Sequence, residues 1–516
     1  MNTPLHKILP LLALSPLTAL PTAAADGSAV GQFAEHGDIG GPAIAGSTTY
    51  DESLQEYHIA AGGQNIWTNA DQFQFAWKKL KGDFLLRARF EFVGEGGSPH
   101  RKLGLMARSS LDPDATYVDA CAHGNGEDAL QFRAAKGGNT EEKILHVQGG
   151  DVLQLERRGK DITFSAARYG EVFESVTLNG TDLGDEVYAG IFLCAHDPAV
   201  KEQAVFREVR IIKQAAADFR PYHDYIGSQL EVLHVFTGRR TALYRSKEPF
   251  EAPNWKQDGK TLLWNVSGGG PNRGVLRTYD LTTGTVAPFN TGAAIHNNND
   301  HVLSFDGKML GVSNQAPENG GKSCVYTLPA AGGAAKQITP IGPSYLHGWS
   351  IDGKWLVFTG GRQLTKDGPV KYDIYKVPAE GGPEVRLTDS PGLNDGPEFS
   401  PDGKYIYFNS TRTGLMQIWR MKTDGSEQER VTNDELNDWF PHISPDGKWI
   451  VFISFGQDVQ PSDHPYYKHV YLRLMPVSGG EPRVIAYVYG GQGTINVPSW
   501  SPDSSRVAFV SNSDFE

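Results

Sequence analysis

Cysteine is nearly absent from this chain, with three in 516 residues: Cys121, Cys194 and Cys324. Three cannot all pair, and their spacing follows no zinc pattern. Cys121 and Cys194 each open a strand-like Cys-Ala-His triplet. They read either as neighbours able to pair or as two buried, small apolar side chains. Long apolar runs are absent beyond the N-terminus, so no spanning helix is expected. Positive charge is also in short supply. Lys and Arg number 48 against 60 Asp and Glu, a formal charge of −12. That balance argues against nucleic acid as a partner. It disfavours strongly polyanionic substrates weakly, because a local patch can override net charge. A Gly-x-Ser-x-Gly elbow is missing, so no α/β-hydrolase nucleophile is expected. No glycine fingerprint stands in a strand–helix context, so no nucleotide cofactor is expected.

Glycine (59), proline (31) and 10% aromatic residues suit a turn-rich all-β protein. The length suggests two or three domains. The start, MNTPLHK then ILPLLALSPLTAL then PTAAADG, has a basic segment, a short apolar core and small residues at Ala23 and Ala25. It reads as a secretory signal peptide over residues 1–25, with cleavage near Ala25 and a periplasmic or secreted product.

A short phrase recurs through the second half: WKQDGK, SFDGK, SIDGK, SPDGK, SPDGK and SPDSS, with turn aspartates Asp258, Asp306, Asp352, Asp402, Asp446 and Asp503. Subtraction gives spacings of 48, 46, 50, 44 and 57 residues. A period near that length marks repeats too small to bury a core alone. Asp-Gly between two apolar runs marks a hairpin. Each repeat is therefore a small antiparallel sheet, and the set forms a β-propeller. The last phrase supplies only two strands. The pair QLEVLHVF and TALYRS, before the first repeat, supplies the other two, closing a six-bladed ring without exposed edges. Residues 26–212 lack this period and alternate apolar with polar between glycine turns, as a β-sandwich does. Residues 213–227 read as a linker and 228–516 as the propeller.

The Asp-Gly turns join first to second strands, so they share one rim. The opposite rim gathers HNNNDH, SYLHGW, LNDGPEF, LNDWFPH and GGQGTINVPSW. Five positions before the turn aspartates stand Pro253, His301, His347, Pro397, Pro441 and Pro498. Proline fits the repeat there, and histidine in two adjacent blades does not. Asp300, His301, His347, Asp395 and His464 are accordingly the candidate catalytic residues. His464 lies in an insertion, SFGQDVQPSDHPYYKHVYL, found in one blade alone, which suggests a lid or specificity loop. Arg273, Glu398, Arg412, Trp439, Gln492 and Asn496 are candidates for substrate binding. Imidazoles beside carboxylates suit general acid–base chemistry. They equally suit a divalent metal such as Mn²⁺, Zn²⁺ or Ca²⁺, with His301, His347 and His442 as ligands.

SPDGK followed by an aromatic strand resembles the TolB-type propeller repeat, over about residues 216–516. The phrases QNIWTNADQFQFAWKKLKGDFLLRARFEF and DVLQLERRGKDITFSAA resemble concanavalin-like jelly rolls of carbohydrate-active proteins. That resemblance implies a sugar-binding face holding Arg108, His123, Gln131, Arg133 and His196, with Trp67 and Trp77 able to stack on a ring. Among propellers of this repeat, the chain resembles oligogalacturonate lyases, which implies a metal-binding, histidine-rich channel and an arginine for the substrate carboxylate. The expectation is a glycan lyase or glycoside hydrolase acting at the channel mouth. The alternative is a protein that binds glycans, or docks envelope proteins as TolB does, without catalysis.

Overall fold

The computed structural model describes residues 29–515. The expected signal peptide lies outside them. Among the described residues no helix is long and apolar enough to cross a membrane.

Residues 35–212 build two seven-stranded antiparallel sheets. The first runs Glu35–Ile39, Phe73–Lys81, Glu186–Cys194, Lys102–Arg108, Tyr117–His123, Glu127–Arg133 and Glu141–Gln148. The second runs Glu174–Leu178, Asp161–Ala167, Val152–Arg158, Phe84–Val93, Glu202–Ile212, Glu56–Ala61 and Ser47–Asp51. They pack face to face because strand side chains alternate. Phe84, Leu86, Ala88 and Phe90 enter one shared core with Leu103, Leu105 and Ala107 of the first sheet.

The outer face of the first sheet, where sugar contacts were expected, is covered by the protein's own hairpin. Ile66 packs there on Phe73, Phe75, Trp77, Met106 and Phe192. Asp71 of the hairpin is gripped by Arg133 at 2.6 and 2.9 Å and by Arg108 at 3.4 Å. None of the three has side-chain exposure, so these arginines tether a loop. Gln131 is engaged by Lys102, and Trp77 stacks on Phe75. Cys121, Cys194 and Cys324 are buried free thiols.

Six blades follow. Blades 1 to 5 are four-stranded sheets with first strands Phe250–Trp255, Asn297–Leu303, Ser344–Trp349, Asn394–Phe399 and Asn437–Ile443. Blade 6 joins Gly227–His234 and Arg240–Ser246 to Arg506–Ser513 from the far end of the chain, in register from Gly227 with Ser513 to His234 with Arg506. Trp500 bridges Val507 on the inner side. The recurring phrase has a local cause. In blade 4, Asp402 Oδ1 accepts from Ser400 Oγ at 2.7 Å and from Lys404 N at 3.1 Å, while Ser400 Oγ accepts from Tyr405 N. Gly403 takes φ 69°, where a side chain is strained. Asp306, Asp352, Asp446 and Asp503 repeat the serine contact.

The outer face of the second sheet docks on blades 5 and 6. Leu85 packs with Tyr467 and Tyr489, and Arg87 donates to the Tyr487 carbonyl. Tyr169 Oη donates to Ile485 O at 2.8 Å, and His469 pairs with Glu156 at 2.9 Å. Gln55 exchanges two hydrogen bonds with the backbone of Ala242, at 2.9 and 3.0 Å. Its side-chain amide thus stands in for a further strand at that sheet edge. At the centre of the junction Glu231 is fully buried. It accepts from Arg210 Nη2 at 2.6 Å, Arg240 Nε and Nη2 at 2.7 Å, and Ser511 Oγ at 2.5 Å.

Candidate functional site

The rim opposite the Asp-Gly turns opens into a cavity of about 440 Å³. Its walls come largely from the first strands of the blades, and in blades 1 to 5 a backbone irregularity lies in that strand. Pairing slips between Glu251 and Asn254, Asn297 and His301, Leu346 and Gly348, Asp395 and Glu398, and Trp439 and His442. Ala252, Gly396 and Phe440 sit at positive φ within these bulges. A bulge re-aims the residues beside it, and bulges gather near active sites.

Asp300, His347, Asp395, His464, Arg273, Gln492 and Asn496 all line this cavity. His301 does not. It is wholly buried in the wall, Nε2 is 3.4 Å from Leu263 O, and burial lowers its pKa to about 4. Glu398 and His442 pair with each other behind the wall. His442 Nδ1 is 2.6 Å from Glu398 Oε2, its Nε2 is 2.9 Å from Ile495 O, and Ile443 N donates to Glu398 Oε1. They staple blade 4 to blade 5. Arg412 lies over Trp419 and donates to Gln428 and Asn394. Trp439 is buried behind His464, ring centroids 4.5 Å apart. The expected metal trio of His301, His347 and His442 is therefore not assembled, since two members have no face on the cavity. Among the described residues no group of three or more His, Cys, Asp or Glu side chains is arranged to hold a metal ion.

Sequence reasoning missed Glu251, which lines the cavity in blade 1. Its Oε1 accepts from Asn265 at 3.3 Å and its Oε2 from Tyr466 Oη at 3.1 Å. Gly493 makes room for it, since a Cβ there would lie 2.4 Å from Oε2. Tyr345, Thr359 and Asn297 to Asn299 also line the wall, and Tyr222 and Tyr225 reach it from the linker.

The ionisable groups are pushed apart. Burial raises Glu251 to about 7, with Asp300 adding to the rise against the hydrogen bonds of Asn265 and Tyr466. Burial likewise raises Asp300 to about 6, opposed by His347. Burial disfavours charge on Asp395 too, yet the hydrogen bond and charge of His347 outweigh it and hold the carboxyl below its usual range. His347, 3.5 Å from Asp395, moves the opposite way to what its burial dictates, because Asp395 and Asp300 raise it. Burial lowers His464. Thr359 Oγ1 and Gly396 N both donate to Asp395 Oδ1, at 2.7 Å.

Glu251 has a stability consequence with a definite sign. Its folded pKa lies above its unfolded one, so the folded state holds an extra proton between them and loses stability as pH rises through about 7. Glu251→Gln removes that cost. The variant should melt higher than wild type at pH 8 and show no such gain at pH 4.5, by scanning calorimetry. Equal melting of the two proteins at pH 8 would contradict the burial of an ionising Glu251.

Five buried polar atoms around this cavity have no partner among the described residues: Asn265 Oδ1, Asn297 Oδ1, Asn299 Nδ2, His464 Nδ1 and Gln492 Oε1. Native proteins leave few such groups, and each calls for a cause. Together they make the wall of this cavity, set in the mouth of a six-bladed propeller, strongly polar.

The TolB beta propeller domain family matches residues 362–464. An uncharacterised protein of Agrobacterium fabrum is 43% identical over 285 residues, 55% of this chain and 92% of that protein. A solved structure from Agrobacterium tumefaciens, provisionally assigned as TolB, is 42% identical and covers 56% of this chain and 99% of its own, with TM-score 0.51. The chain belongs to this family of TolB-like β-propeller proteins. An oligogalacturonate lyase in complex with manganese is 14% identical over 57% of this chain and 78% of its own, with TM-score 0.35, a likeness too slight to support any inference about chemistry.

Proposed function

We propose that this protein is a carbohydrate-active enzyme that cleaves a glycan by acid–base catalysis in the propeller mouth. The observation that carries this is the ring of unpartnered amide and imidazole atoms around paired carboxylates of opposite protonation. A polyhydroxylated ligand offers the many donors and acceptors such a wall needs. Environments that push titratable groups apart assign the acid and the base. Glu251 belongs to blade 1 and Asp395 to blade 4, on opposite sides of a six-bladed ring.

In this reading Glu251 enters protonated and donates to the leaving glycosidic oxygen. Asp395 stays ionised and takes a proton from the water that attacks the anomeric carbon. The glycosidic C–O bond breaks as the new one forms. Asp300 faces the positive charge developing on the ring, and His347 keeps Asp395 charged. Hydrolysis is favoured over β-elimination because Asp395, and Asp300 when ionised, would repel a uronate at the scissile position. Export through the N-terminal leader, and a concanavalin-like character for the sandwich, belong to the same proposal.

The test is release of reducing ends from a panel of glycans, with an unsaturated product monitored at the same time. Activity should fall as pH rises above about 7, because the acid must carry its proton. A profile that climbs steadily to pH 9 would remove Glu251 from that role. A second reading, envelope docking without turnover, draws on the 42% identity to the TolB-assigned structure. Failure to cleave any glycan in the panel would favour it.

A further inference from the structure

The cavity has a charge gradient that acid–base cleavage does not use. Its interior holds Glu251, Asp300 and Asp395, while Arg273 at the mouth is exposed on the hairpin between Thr261–Val266 and Leu276–Asp280. Arg273 is the one lysine or arginine among the described lining residues. Its guanidinium has no hydrogen-bond or ion-pair partner among the described residues, whereas the neighbouring Arg277 is paired with Glu248 at 2.9 Å. The other candidate arginine, Arg412, is consumed by Asn394 and Gln428.

Two further features meet at the same place. Arg273 also lines a second cavity of about 390 Å³ with His296, Gln315 and Pro317, and shares Asn297 and Gln315 with the first. A ligand longer than one ring can therefore run from one space to the other past this guanidinium. On the facing side the linker supplies tyrosines. Tyr222 and Tyr225 pack edge-on against Tyr466, at 5.8 and 5.6 Å, and Tyr222 Oη donates to Asp463 at 3.1 Å. Tyr222 is nonetheless 48% exposed, so an apolar ring face is held in place and left open. The field of Arg273 reaches Tyr225, where it opposes the rise that burial and Glu251 impose on the phenol.

We propose that the mouth is an outer subsite for an acidic sugar residue: Arg273 holds its carboxylate or sulfate, Tyr222 stacks on its ring, and the glycan continues into the space bounded by His296 and Pro317. This rests on the glycan reading above. The geometry orients the substrate, since an anionic group is attracted to the mouth and repelled by the interior carboxylates. A neutral bond is thereby presented to Glu251 and Asp395. Planar guanidinium matches both carboxylate and sulfate.

The experiment is calorimetric titration of the full chain with paired probes. Tetragalacturonate is compared with its methyl ester, and a sulfated tetrasaccharide of neutral galactose units with its desulfated form. The acidic member of at least one pair should bind tighter, and which pair responds distinguishes carboxylate from sulfate. Arg273→Ala should weaken that member by about 10- to 100-fold, as loss of a charge-assisted hydrogen bond does. It should leave the neutral member unchanged, and Arg273→Lys should restore part of the loss. Tyr222→Ala should weaken both members. Equal affinity within both pairs, no binding of either acidic probe, or indifference to Arg273→Ala would each overturn the subsite. Arg273-dependent binding without cleavage of any glycan would keep the subsite and sink the enzymatic reading. Cleavage of neutral glycans untouched by Arg273→Ala would do the reverse.

Discussion

On the proposed mechanism, Asp395→Asn should lower kcat for glycan cleavage by about 10²- to 10⁴-fold, the range expected when a positioned general base is lost. The prediction is sharp because the substitution keeps the shape of the side chain. Oδ1 of residue 395 can still accept from Thr359 and from the Gly396 backbone. What disappears is the negative charge, and with it the chief of the contacts that raise the pKa of His347. KM should change little, since the groups with free hydrogen-bonding capacity are Asn265, Asn297, Asn299, His464 and Gln492. Steady-state kinetics beside a calorimetric scan separates chemistry from folding. An Asp395→Asn protein with unchanged kcat and unchanged melting would remove this carboxylate from the mechanism.

The second large effect concerns the junction of sandwich and propeller. Glu231→Ala should destabilise the protein by about 3–5 kcal/mol, because it strands charged groups where water cannot reach them. Arg210 and Arg240 both point at this carboxylate, and the Glu231 and Arg240 side chains are at most 1% exposed. Burial opposes ionisation of Glu231, yet the two guanidinium charges outweigh it and hold the carboxyl well below its ordinary range. The sign follows directly. A depressed folded pKa contributes stability that is complete above the unfolded value near 4.5, and that stability is lost as pH falls below it. Wild type should therefore weaken on acidification more steeply than Glu231→Gln does. Urea titrations at pH 7 and pH 4 measure both statements. A loss under about 1 kcal/mol at pH 7 would mean that the clamp is solvated.

The propeller was legible because its signal is local. Ser-x-Asp-Gly-Lys closes its own hydrogen bonds locally, as Ser400, Asp402 and Tyr405 show, so the phrase recurs in blades 2 to 5 and in altered form at Asp258 and Asp503. The rim was legible at the level of segments, and seven of the expected side chains reach the cavity. The histidine column was misread for a geometric reason. Five before the turn aspartate, His301 lies at the end of its bulge and faces the wall, whereas His347 falls within the bulge between Leu346 and Gly348 and lines the cavity. Residues seven before it are Glu251, Asn299, Tyr345, Asp395, Trp439 and Asn496, and five of these six line the cavity. Sequence alternation assumes an unbroken strand, and the extra residue of a bulge reverses the faces. The sugar face of the sandwich failed differently. Arg108 and Arg133 stand on the expected face, but Asp71 arrives from a hairpin that no short-range pattern announces. The tyrosines of the linker were missed because their partners lie about 240 residues away, as in the Tyr222–Asp463 pair.

Closure of the ring by Gly227–His234 on Arg506–Ser513 also fixes an order of assembly. The strand that follows the linker has to wait, during synthesis, for nearly all of the remaining chain before its inner neighbour exists. Contacts of such long range are slow to form. Through that interval the already completed sandwich, with Gln55 on Ala242 and Arg210 beside Glu231, is available to shelter the waiting strands from other nascent chains. The N-terminal half would then act as an internal chaperone for the C-terminal half, and its early position in the gene would be part of how the protein matures.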